Sequence, residues 1–275
     1  MKYDLASLVR RTRKTRRREI VMRKIVVPAT YATDLYASGY RDVVRAWQAA
    51  VEPVVAEYGR TLSELTQDSP EQTAAVISGV EQDIAALLVS VRLRLERWTV
   101  VIERWHRHRW RGAVLTATGI DLQTLVGPGD MRAPLSTAIE RNVGLIRSVS
   151  DQTRARIGDA VFRGFQARRP ASEVAKEIRE AVAMSRRRAL RIASHQTTVL
   201  GETLTEERRR EAGISTWQWN HSGKVHYRPE HKARDGKRYD DDATSGAAKP
   251  PDDRPGQLPG CGCGSQAVLD LTGEF

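Results

Sequence analysis

Cysteine is nearly absent from this chain of 275 residues, and the two present, Cys261 and Cys263, are separated by one glycine. A disulfide across that spacing would be badly strained, which excludes a disulfide-stapled secreted module and gives an intracellular reading. Long apolar runs are also missing. The best, near 84–91, is broken at Ser90 and Arg92, well short of the ~18 uninterrupted apolar residues of a membrane span, so no membrane partner is expected. The N-terminus is basic but lacks the apolar block and small-residue cleavage site of a secretory signal. There is no Walker A lysine motif, no GxGxxG and no HExxH. What remains is 40% hydrophobic and 29% charged, with a formal charge of +11. That composition suits a folded protein with a polyanionic partner, nucleic acid first.

The charge is concentrated. Residues 1–24 hold ten Lys or Arg against Asp4 and Glu19, a surplus of eight out of the chain's eleven. So dense a run repels itself and is expected to stay open as an arm over 1–28, with Arg10, Arg11, Arg13, Lys14, Arg16, Arg17, Arg18, Arg23 and Lys24 contacting double-stranded DNA through phosphates and without base specificity.

Beyond the arm, a long-helix domain is expected over 29–130. Helical spacing runs over 35–65 and stops at Asp68, Ser69 and Pro70. No proline interrupts 71–127, where Ile84, Leu88, Val91, Leu95, Trp98, Ile102 and Trp105 step by fours and threes. That seam predicts a rod of about forty-five residues, roughly 70 Å long, with an antiparallel helix or another chain as its partner. Arginines interleave with Trp98, Trp105 and Trp110 at its end, a pattern seen in single-strand binding, but Trp98 and Trp105 fall on the seam and are expected in the core. His106 and His108 lie two apart and share no helical face, which excludes that pair as metal ligands.

Gly127, Pro128, Gly129 and Pro134 mark the next boundary, so the last domain is expected over 131–275. Helices are predicted over 135–149, 151–166, 172–184 and 185–212, ended by Gly213 as a C-terminal cap. From 213 the composition turns strand-like and then rich in proline and glycine, with Asp235-Gly236 as a turn and Asp240–Asp242 as a solvated acidic turn. The predicted fold class is mainly α: long antiparallel helices, a helical bundle and a small α+β tail.

That tail holds both cysteines and three of the six histidines, His221, His226 and His231. Thiolates and imidazoles suit zinc, and a loop too polar to bury itself gains most from a metal staple. The expected ligands are Cys261, Cys263 and His231, with His226 or a nearby carboxylate fourth, in a structural role. The competing reading makes the cysteines small buried packing residues. A Cys/His nucleophile pair can be drawn from Cys261 or Cys263 and His231, but no oxyanion-hole signature or orienting third residue accompanies it, so no enzyme is expected.

The stretch 142–269 resembles the phage Mu F-like head morphogenesis family of minor head proteins. The resemblance rests on RNVGLIRSVSDQTRARIGDAVFRGF, SEVAKEIREA, RALRIASHQTTVLGETLTEERRREAGISTWQW, RPEHKARDGKRY and a terminal CGC, in that order. Its strongest residues are Trp219, Arg228, His231, Gly236, Cys261 and Cys263. The chain departs from the family at Lys224 and His226, where Asp-x-Arg is usual, at Gly262, often arginine, and at Ser194, His195 and Gln196, commonly Arg-Thr-Glu. The resemblance implies a few copies at the portal vertex inside the capsid, with the portal protein and capsid or scaffold proteins as partners. They would act in head assembly and in DNA packaging or release, in the virion and, during assembly, in the host cytoplasm. The alternative from composition is a basic helical DNA-binding or regulatory protein with a zinc-fastened tail.

Overall fold

The structure, a computed structural model, describes residues 3–12, 17–64, 69–125, 131–243 and 245–272. In chain order the elements are α1 (Leu5–Thr12), β1 (Glu19–Val21), α2 (Ala29–Leu35), a π-helical turn (Tyr36–Tyr40), α3 (Arg41–Ala49), α4 (Val51–Glu64), α5 (Ser69–Thr118), α6 (Leu122–Leu125), α7 (Arg132–Gln166), α8 (Ala171–Glu211), β2 (Thr216–Asn220), α9 (Pro229–Ala233), β3 (Arg238–Asp240) and β4 (Gly264–Asp270). The protein is mainly helical, with one small antiparallel sheet. It divides into two compact units of interleaved segments, whereas the sequence reading divides it in order: one unit is Met1–Tyr31, Thr99–Thr137 and His195–Phe275, the other Ala32–Trp98 and Ala138–Ser194.

The second unit is a helical bundle. Of the predicted seam, Ile84, Val91, Leu95 and Trp98 are buried on α5 and Ile102 continues the stripe in the first unit, whereas Leu88 and Trp105 are only half-buried. Its antiparallel partner is the α3–α4 stretch, with Asp42 bonded to Arg94 at 3.0 Å and Thr61 facing Thr73 at 3.5 Å. The π-helical turn lets the backbone come close, because a Cβ on Gly39 would meet Ile146 at 2.9 Å and Leu95 at 3.4 Å. Along α7 the same stretch runs parallel. Tyr40 donates to Asn142 at 3.1 Å, Trp47 to Ser150 at 3.0 Å and Tyr58 to the Arg169 carbonyl at 2.7 Å. The first two of these bonds recur after about two helical turns, which keeps both buried donors on one face.

Two predicted helix breaks do not occur. α7 runs through Ser150 and α8 through Ser185. Thr153 and Ser185 instead return hydrogen bonds to the Val149 and Ala181 carbonyls and bond to each other, while Ser150 accepts from Trp47. Residues that compete with the helix when exposed are here satisfied within it.

α5 is also, among the described residues, the one helix long and apolar enough by length and composition to cross a membrane. An eighteen-residue stretch within Glu71–Thr118 has a mean hydropathy of 1.6, which counting uninterrupted apolar runs passes over. In the folded chain Ile77, Ile84 and Val91 on this helix are buried, and Glu81 pairs with Arg154 at 3.0 Å.

The first unit holds the sheet, ordered β1-β4-β2-β3. Its register sets Ile20 opposite Leu269, Trp217 opposite Ala267 and Gln218 opposite Arg238. The expected open arm is therefore corrected over its described residues. Leu5 and Val9 of α1, with Ile20 and Met22, join Trp110, Val114, Ile214, Ala267 and Leu269 in one core cluster. Apolar residues at i and i+4 of α1, and the alternation of β1, give the charged segment one face to bury. Gly213 caps α8 as predicted, at φ +67° with the Ile214 amide donating to the Arg209 carbonyl at 2.9 Å.

The seam makes a direct prediction. Leu95 is fully buried, so Leu95→Asp should cost at least the ~2–5 kcal/mol of a large-to-small core change, with the desolvation of an unpaired carboxylate added. Urea denaturation checks this, and a wild-type midpoint would mean that the seam does not carry the bundle.

Candidate metal centre

Three elements converge in the tail. Pro229, whose fixed φ suits a first helical position, starts the short α9 and sets His231 one turn in, 2% exposed, with its amide donating to the Arg228 carbonyl at 3.0 Å. β2 brings Trp219 edge-on to the His231 ring, centroids 5.2 Å apart. The segment ahead of β4 supplies Cys261 and Cys263, both buried.

His231 is held at both ring nitrogens. Nε2 meets the Asp253 carboxylate at 2.8 Å, and Nδ1 faces the Cys261 sulfur at 3.4 Å and the Cys263 sulfur at 3.7 Å. Asp253 is in turn bonded by Arg234 at 2.8 Å, and the Arg234 guanidinium lies 5.1 Å from the Trp219 ring centroid. Desolvation works against the Asp253 carboxylate, yet the bonds from Arg234 and His231 outweigh it and hold its pKa below the usual range. A carboxylate on Nε2 fixes the proton there and turns the Nδ1 lone pair toward the sulfurs.

The donor atoms of His231, Cys261 and Cys263 all lie within 4.8 Å of one another. With Zn–S near 2.3 Å and Zn–N near 2.0–2.1 Å, a tetrahedral ion sets a sulfur and a nitrogen about 3.5 Å apart, and 3.4 and 3.7 Å bracket that edge. The thiols are unequal. A hydrogen bond from Cys263, then the Cys263 and Gly256 amides and His231, lower the pKa of Cys261 despite desolvation, while its partnership with Cys261 and burial raise that of Cys263. The Trp219 indole N–H is buried without a hydrogen-bond partner and lies by the Cys263 sulfur. Donors of this kind stabilise thiolate charge.

Of the residues expected from sequence, Cys261, Cys263 and His231 come together. His226 is exposed and is not among the residues whose donor atoms converge. Asp253, the carboxylate at the cluster, meets the opposite ring nitrogen and acts through His231. Of the basic arm, Arg11, Arg17, Arg18 and Arg23 are exposed, Arg10 bonds to the Ser7 hydroxyl at 3.1 Å, and Lys24 is half-buried with its charge acting on Glu202. Arg13, Lys14 and Arg16 lie outside the described residues.

The acidic turn is a second correction. Asp240 is 1% exposed and accepts from the Asp242 amide at 3.0 Å and the Ser245 amide at 2.5 Å. Asp241 accepts from Arg254 at 2.6 Å, the Trp217 indole at 3.0 Å and Arg209 at 3.2 Å, while the two guanidiniums lie over the Trp217 ring. These carboxylates tie β3 to α8 and to the proline-rich loop, a role that three aspartates in a row do not signal.

α8 fastens the same module from beneath. His195 bonds the Gly256 carbonyl at 3.0 Å, and Glu202 accepts from the Ser265 amide at 2.8 Å and its hydroxyl at 2.9 Å. Gly256 has φ +75°, and a Cβ there would press on Glu202 and Thr198. Desolvation pushes the Glu202 pKa up to about 7, against the pull of Ser265, Lys24 and Arg209.

Residues 155–265 match the family described as Phage Mu protein F like protein. An uncharacterized protein of Haemophilus influenzae is 28% identical over 156 residues, covering 56% of this chain and 34% of that protein. The chain thus matches about a third of the relative's length. No solved structure matches it.

Proposed function

We propose that the chain, whose residues 155–265 match the family described as Phage Mu protein F like protein, is a head morphogenesis protein of that family and a minor head protein bound at the portal vertex inside the capsid. The observation that carries this reading is the convergence of the family-like residues in space: Trp219, His231, Cys261 and Cys263 form one buried cluster, and Arg228 bonds the Pro259 carbonyl at 3.1 Å. Residues that make one fastened module are what an assembly component needs in order to present a fixed surface. The chain is expected to co-purify with the portal protein of the same phage. Heads containing portal but none of this chain would overturn the assignment.

The cluster is proposed to hold zinc in a structural role. His231, Cys261 and Cys263 would be its ligands, and the metal would supply a cross-link between α9 and the start of β4. Protein purified without a histidine tag should carry about one zinc per chain, and chelation should speed hydrogen exchange over 229–264 while sparing α5 and α7. Less than about a tenth of an equivalent, with both thiols freely titratable in the native state, would leave the cysteines as packing residues.

A capsid component meets dense DNA, and the exposed guanidiniums of Arg11, Arg17 and Arg18 support sequence-independent binding. Replacing all three by Gln should lower the slope of log affinity against log salt by about 0.9 for each phosphate that is no longer neutralised. A triple variant with the wild-type slope on unrelated duplexes would remove this region from the DNA interface.

A further inference from the structure

β1 lies at one end of the sheet order, and its ladder with β4 ends at Met22, whose amide donates to the Ala267 carbonyl at 2.8 Å. Beyond it the chain stays out of regular structure to Pro28. Among the described residues, the backbone N–H and C=O groups of Arg23, Lys24, Ile25 and Val26 make no hydrogen bond. Four successive residues with unmet donors and acceptors are an open template for another strand.

The same segment walls a groove of about 640 Å³, the size of a ligand-binding cleft. The opposite wall is the face of α5 carrying His108, Arg109, Gly112, Ala113, Thr116 and Ala117. Two properties define an occupant. The lining includes Arg23, Arg109 and His108 and, among the described residues, no carboxylate, while the charge of Lys24 acts on Glu202, so its field favours an acidic ligand. Between these charges it is apolar or small, and Val21 and Val26 are 40% and 65% exposed.

We infer that this groove receives an extended, acidic segment of a partner protein, which pairs as an added strand with residues 23–26. Strand addition satisfies donors and acceptors together, and alternate side chains of the guest reach the apolar floor while the others meet the basic rim. Single-stranded nucleic acid shares the charge but fits the rest poorly. Phosphates accept hydrogen bonds and leave the four carbonyls unmet, and among the described residues no Phe, Tyr or Trp lines the groove for bases to stack on, His108 being its one ring.

Gly112 supplies a clean test, since a Cβ there meets nothing within 4 Å. Gly112→Leu therefore projects a side chain into the groove without touching the core, at a helical position where leucine is favoured over glycine. A labelled peptide alternating Glu and Val is titrated into the full chain and followed by anisotropy, beside a Lys/Val counterpart and oligo-dT. The Glu/Val peptide should bind and the Lys/Val peptide should not. Gly112→Leu and Arg23→Glu should each weaken binding about tenfold or more at unchanged melting temperature, and the amides of 23–26 should exchange more slowly in the complex. Should Gly112→Leu fail to fold, the Arg23→Glu comparison and the exchange data still decide. The proposal is overturned if wild type does not bind the Glu/Val peptide, if the folded variants bind it as wild type does, or if 23–26 gain no protection. Tighter binding of oligo-dT, abolished in the same variants, would equally overturn it and make the groove a nucleic-acid site.

Discussion

Strand β4 has two neighbours, β1 from near the start of the sequence and β2 from after the longest helices, and the first unit forms only when all three have met. Their pairings are non-local, so loop-closure entropy must be met before the hydrogen bonds return anything. The structure answers with fasteners placed at β4 itself. Glu202 binds Ser265 by two hydrogen bonds, and the cysteines that face His231 sit directly ahead of the strand. α1 and Met22 close over the other end through the cluster that contains Ala267, Leu269 and Leu271. The His231, Cys261 and Cys263 cluster and the sheet thus fix the same backbone, one from each side of Gly264.

A module with so many ionic groups inside it depends on the pairing of their charges. Arg208 is 4% exposed and pairs with Glu103 and Glu211, while Arg209 at 3% reaches Asp241. Removing one partner of such a pair strands the other charge, so the network acts less as added stability than as a condition on which residues can sit together. His106 follows the same logic in neutral form. Burial, then the neighbouring Arg208 charge, press its pKa down to about 3; Nε2 meets the Thr205 hydroxyl at 3.0 Å, while Nδ1 is buried without a hydrogen-bond partner.

The parts legible from sequence were those with a local or periodic signature. The seam from Ile84 to Ile102 and the stop at Gly213 announce themselves by spacing, and Cys261, Cys263 and His231 by chemical type. The order of motifs from Trp219 to the CGC carried the family resemblance. What was illegible depends on partners far along the chain. Ile20 looks like the start of a short apolar stretch in a basic arm until Leu269 lies opposite it. Ser150 and Ser185 look like helix ends until Trp47 and Thr153 are in place. Asp253 gives no sign that it orients a histidine, because a carboxylate twenty-two residues from its partner has no periodicity to betray it.

The departures from the family pattern become intelligible at the same level. Gly262 stands where arginine is often found, and a Cβ there would meet the Lys224 side chain at 2.7 Å and Ser222 at 3.0 Å. Lys224, itself a departure, occupies that space and donates its ammonium to the Gly260 carbonyl at 3.1 Å. A cation is therefore still delivered beside the two cysteines, but from the loop after β2 and not from between them. The small residue at 262 and the long one at 224 are thus two halves of one arrangement, and restoring a side chain at 262 alone would meet an already filled site. At the opposite side of the loop, His195 stands in the segment commonly read as Arg-Thr-Glu and bonds the Gly256 carbonyl. Both differences fall on the fastening of the cysteine loop and leave the His231, Cys261 and Cys263 donors untouched.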